Sequence, residues 1–86
     1  MILCWVSINS EAQSGQNYFE KGNAWREFRD YKGAIEQYTK AIALNPNYYQ
    51  AFLNRAFVMQ ILGNYEAAHK DFNRAIQIKP NAYEGY

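Results

Sequence analysis

One histidine, His69, and one cysteine, Cys4, are the side chains best suited to metal or nucleophilic chemistry, and neither has a companion. A metal centre needs three or four donors at short spacing, which a lone imidazole and a lone thiol do not supply. Cys4 also cannot close a disulfide within the chain. The carboxylates Glu27, Asp30, Glu66 and Asp71 read as solvated helix faces and caps rather than as an acid–base pair. Ser7, Ser10 and Ser14 have neither a glycine-flanked nucleophile turn nor a base at matching spacing. The glycines are too scattered to cradle a phosphate. His69 stands beside an apolar stripe, at the position Ile35 holds earlier in the chain, and reads as a partly buried packing residue. The expectation is a protein that is not an enzyme and carries no cofactor and no metal.

Composition narrows the alternatives. Eighty-six residues make one small domain, yet 49% are hydrophobic and 17% aromatic, enough to build a core. A formal net charge of +1, with Lys and Arg interspersed among the acids, gives no basic stripe for phosphates, so no nucleic acid partner is expected. No apolar run reaches the roughly 18 residues of a membrane span. The apolar start, Met1 to Ile8, followed by Ser10-Glu11-Ala12, faintly resembles a secretory signal but lacks a basic leading segment. With one cysteine, a reducing cytoplasmic setting is the expectation, and a secreted or periplasmic one the alternative.

The elements that position these residues emerge from an internal repeat. Asn45-Pro46-Asn47 recurs as Lys79-Pro80-Asn81 at a spacing of thirty-four positions, and the same shift superposes Tyr31 on Tyr65, Ala34 on Ala68, Ala41 on Ala75 and Ile42 on Ile76. Similar residues also pair: Tyr18 with Phe52, Lys21 with Arg55, Gly22 with Ala56, and Tyr38 with Phe72. Within each unit the apolar residues recur at three and four, the spacing of one helix face. Tyr31, Ala34, Ile35, Tyr38, Ala41 and Ile42 form such a stripe; Tyr18, Gly22, Trp25 and Phe28 form another on the preceding helix.

Breaks fall where backbone chemistry favours them. Gly63 suits a left-handed helix end, Asp30 and Asn64 can accept the first free amides of the next helix, and Pro46 and Pro80 stop the second helix of each unit. Helices are predicted at about 16–28, 31–44, 49–62 and 65–78, with ends good to about ±2 to 4 residues. Small residues at Gly22, Ala34, Ala41, Ala56, Ala68 and Ala75 let paired helices approach closely. The fold class is all-α: tandem antiparallel helix-turn-helix hairpins.

These residues resemble the tetratricopeptide repeat, a helix–turn–helix unit of the same period that stacks into an α-solenoid. The first helix of that pattern carries an aromatic, a small residue and an aromatic, matched by Tyr18, Gly22 and Trp25; the second carries alanine, aromatic, alanine and proline, matched by Ala34, Tyr38, Ala41 and Pro46. Phe52, Ala56, Met59, Ala68, Phe72, Ala75 and Pro80 repeat the series. Lys21 and Arg55 replace a customary leucine, and Met59 an aromatic. The resemblance divides the chain into a segment of unassigned structure at 1–14, repeats at 15–48 and 49–82, and, from Tyr83-Glu84-Gly85-Tyr86, the opening of a third unit at 83–86.

The resemblance implies a protein-interaction module in which the first helices of successive units line a concave groove for an extended peptide or a partner helix. Carried over by position, the groove comprises Gln16, Phe19, Asn23 and Arg26, then Gln50, Leu53, Asn54, Phe57 and Gln60. Carboxamides offer both donor and acceptor to a visiting main chain, and aromatic faces supply apolar pockets. Phe19, Leu53 and Phe57 also suit packing between helices. One subgroup of the family grips acidic C-terminal tails of chaperones with lysine, asparagine, asparagine, lysine and arginine. Asn23 and Asn54 match its asparagines, but Phe19 and Glu84 stand where lysines belong, so this co-chaperone-like reading is an alternative. A second alternative is self-assembly: stacked hairpins need their end faces covered, and Phe72 and Ile76 near the last helix seek cover from Met1 to Ile8, from another copy, or from a further repeat.

Overall fold

The computed structural model describes the backbone of residues 2–80 and the side chains of 14–80. The signal-like start, in its side chains, and the opening of a third unit at 83–86 lie outside the described residues. Four helices follow in order: α1 (Ile2–Glu27), α2 (Tyr31–Leu44), α3 (Tyr49–Ile61) and α4 (Tyr65–Ile78). The two hairpins are α1 with α2 and α3 with α4; α3 also packs on α2 and touches α1. α1 begins well before the predicted residue 16. Nothing in residues 2–14 breaks a helix, and Gly15 is absorbed in its interior, where an added Cβ would meet Leu44 only at an ordinary 3.8 Å.

Both hairpins turn through the same backbone path. Arg29 and Gly63, equivalent positions of the two units, take left-handed φ values of 65° and 83°. The amides that follow reach back to the helix they leave, Asp30 N to Trp25 O at 2.9 Å and Asn64 N to Met59 O at 2.8 Å. Asp30 caps α2, accepting from Gly33 N at 2.9 Å. Asn64 occupies the same position on α4 but its side chain makes no capping bond, contrary to expectation. The second hairpin has Ala67 where the first has Gly33, whose amide is the one Asp30 caps.

The small residues of the repeat do pack the helices together: Gly22, Ala34, Ala41, Ala56, Ala68 and Ala75 are all buried. Tyr38 is 0% exposed and forms a cluster with Ala34 and Val58, against which Phe19, Tyr31 and Ile35 pack. Gly22 makes room for it, since a Cβ there would come within 2.5 Å of the Tyr38 ring. Two readings are corrected. Asp71 is not on a solvated face but 6% exposed, held by Arg55. His69 is exposed rather than partly buried, because no described helix stands over the side of α4 that corresponds to the Ile35 side of α2.

Candidate peptide-binding groove

The first helices of the two hairpins bring Asn23 and Asn54 together. Asn54 Nδ2 donates to Asn23 Oδ1 at 3.0 Å, and the same oxygen accepts from the Tyr38 hydroxyl. One carboxamide thus ties α1 to both α2 and α3. It also satisfies a hydroxyl that would otherwise be buried without a partner, a loss of about 1 to 3 kcal/mol. Burial pushes the Tyr38 pKa above its ordinary value, against the opposing pull of the Arg26 charge and the nearby Asn54 carboxamide. Tyr38 therefore stays a neutral donor across the physiological range.

Around this link the remaining predicted residues divide by environment. Phe19 is half-buried, its ring centroid 5.8 Å from Tyr38 and 5.0 Å from Tyr48, so it packs between the hairpins. Leu53 and Arg26 are half-buried, while Gln16, Gln50 and Gln60 are exposed, Gln16 bonding Glu20 at 3.3 Å within its own helix. Phe57 is 46% exposed and stands edge-on to Phe72 at 5.2 Å, turned toward α4 rather than toward the asparagines. Burial, and then Glu20, raise the pKa of Tyr48 too, which keeps the phenols beside Phe19 uncharged.

Sequence reasoning missed two features. Tyr48 is the aromatic that completes the Phe19 contact, and its place at the start of α3, next to Pro46-Asn47, carried no periodic signal. Arg55 donates through Nε and Nη2 to Asp71 at 2.6 and 2.9 Å and through Nη1 to Thr39 Oγ1 at 3.0 Å. It joins α3 to α4 and to α2 at once. The signal was present: an arginine stands where the pattern has an apolar core residue, and an acid follows sixteen residues later on the facing helix.

No helix among the described residues is long and apolar enough to cross a membrane. Family models described as tetratricopeptide repeat match residues 15–48 and 37–70, the second running from the middle of α2 to the middle of α4. Uncharacterized protein MJ0572 of Methanocaldococcus jannaschii is 36% identical over 59 residues, covering 69% of this chain and 69% of that protein. DnaJ homolog subfamily C member 7 of Mus musculus is 36% identical over 53 residues, which is 62% of this chain but only 11% of the relative. Together with four helices paired into two hairpins of one period, these matches settle the family: the chain belongs to the tetratricopeptide repeats, and is a protein-interaction module of helical-hairpin type.

Proposed function

We propose that the chain holds an extended peptide or a partner helix in the groove between α1 and α3, with the Asn23–Asn54 pair as its polar centre. The observation that carries this reading is the 3.0 Å bond between the two carboxamides, which sets both on one side of the stack. Nδ2 of Asn23 and Oδ1 of Asn54 are left as one donor and one acceptor for a visiting main chain, with no partner among the described residues. Exposed Gln50 and Gln60 extend the polar row, and Leu53 provides an apolar border. An acidic tail is a poorer fit, because Arg26 is the one cation in the set and Phe19 packs where the subgroup has a lysine.

Asn54→Ala is the cleaner probe, since Asn23 also satisfies the buried Tyr38 hydroxyl. Peptides selected from a random display library on the purified chain should lose about tenfold in affinity to Asn54→Ala, the worth of one or two hydrogen bonds. Helicity by far-ultraviolet dichroism should stay unchanged. Equal affinity for both proteins would remove Asn54 from the site.

A further inference from the structure

The polar centre of the groove has a fixed sense, and a residue beneath it sets that sense. Tyr38 is 0% exposed, so its hydroxyl proton needs an acceptor inside the protein. Among the described residues Asn23 Oδ1 is that acceptor, and Asn54 Nδ2 donates to the same oxygen at 3.0 Å. Burial holds the phenol above its ordinary pKa, so the proton stays in place at neutral pH. A carboxamide carries its acceptor oxygen and its donor NH2 on opposite sides of one carbon. Two donors converging on the oxygen therefore turn the NH2 of the half-buried Asn23 away from both. A half-turn of the group would set NH2 against NH2 at Asn54 and leave the hydroxyl proton unsatisfied. The second hairpin has Phe72 in place of Tyr38 and Phe57 in place of Asn23, so hydroxyl and carboxamide are present together or absent together.

We propose that Tyr38 is a positioning residue for the groove: its hydroxyl keeps Asn23 as a donor, which selects an extended segment with a free main-chain carbonyl over a partner helix. The inference rests on the groove between α1 and α3 being the binding site. Carbonyls in a helix interior are already spent on amides of the next turn and have little to offer Asn23. An extended segment presents both main-chain groups, its carbonyl to Asn23 Nδ2 and its N–H to Asn54 Oδ1. Tyr38 itself is out of a ligand's reach, fully buried with its ring against Gly22 of α1.

Asn23→Asp separates this role from a merely structural one. The carboxylate still accepts from Tyr38 and Asn54 but has no N–H to give, so the urea midpoint should hold while affinity falls. The probe is an uncharged peptide selected by display on the purified chain. Asn23→Asp should lower its affinity about tenfold, and Tyr38→Phe about two- to fivefold, since the freed carboxamide then spends part of its time reversed. In the Asn23→Asp background, where both ends of the group are oxygen, Tyr38→Phe should add nothing; a loosened fold would lower affinity there too. One backbone ester in the peptide, which weakens a carbonyl as acceptor, should at one position cost affinity on the unaltered chain and not on Asn23→Asp. Full affinity in Asn23→Asp, an equal Tyr38→Phe loss in both backgrounds, or a bound peptide that is helical by dichroism would overturn the inference, while a loss with Asn54→Ala left the groove standing. If Asn54→Ala too left affinity unchanged, the groove itself would fall, and this inference with it.

Discussion

The two hairpins share a period and a turn but solve their interiors differently. In the first, Gly22 admits a fully buried Tyr38 whose hydroxyl is held by Asn23; Lys21 extends outward, its ammonium 5.5 Å from the Tyr18 ring. In the second, Ala56 and Phe72 replace the glycine and tyrosine, and Arg55 turns inward to pair with Asp71, where the first hairpin has Gln37. One backbone therefore accepts either a hydrogen-bonded phenol or an ion pair at neighbouring core positions. The repeat constrains where helices meet, and leaves open which polar contact secures the meeting.

The largest expected contrast follows from removing that ion pair. Asp71→Ala would leave Arg55 half-buried with only Thr39, and should cost about 3 kcal/mol in urea unfolding. Gln37→Ala, at the corresponding half-buried place in the first hairpin, breaks no charge pair and should cost less than about 1 kcal/mol. Replacing both Arg55 and Asp71 by leucine restores an apolar residue at the position where the family has one, and should recover most of the loss, because apolar isosteres of buried ion pairs are often neutral or better. Equal losses for Asp71→Ala and Gln37→Ala would mean that the pair adds nothing specific to the second hairpin.

A smaller effect separates Gly22 from Ala56. Gly22→Ala gains about 1 kcal/mol of helix propensity but drives a methyl to 2.5 Å from the Tyr38 ring, so a net loss of about 1 to 2 kcal/mol is expected. Adding Tyr38→Phe should not rescue it, since the clash is with ring carbons. Stabilisation by Gly22→Ala would show that Tyr38 has room to move and that the two hairpins pack alike.

How much of this was legible beforehand depends on the kind of interaction. The helices, their order and the small residues between them follow from apolar spacing, and the starts of α2, α3 and α4 fall on the predicted residues. α1 runs on through Gly15 toward the start of the chain, since one glycine in a helix interior does not end it. The proximity of Asn23 and Asn54 was readable from their place in the repeat, with Asn54 one helical turn before Phe57, the counterpart of Asn23. That Asn23 spends its carbonyl on Tyr38, that Phe57 turns to Phe72, and that Asp71 is buried were not. Each depends on which rotamer a neighbouring helix permits, and periodicity carries no such information.

The smallest contrast is the most direct test of the shared turn. Arg29 and Gly63 hold the same left-handed conformation, which an L-residue with a Cβ adopts at a cost of about 1 kcal/mol and glycine does not. Arg29→Gly should therefore stabilise the chain by somewhat less than that, because glycine also raises the entropy of the unfolded state. Gly63→Ala should destabilise it by about 1 kcal/mol through backbone conformation alone, since a Cβ there meets nothing within 4 Å. Opposite signs at two equivalent positions of the repeat, read as shifts of the urea midpoint at constant slope, are what a common turn requires. If Arg29→Gly destabilised instead, the arginine side chain would be contributing a contact that outweighs its backbone strain, and the two turns would be alike in path but not in energetics.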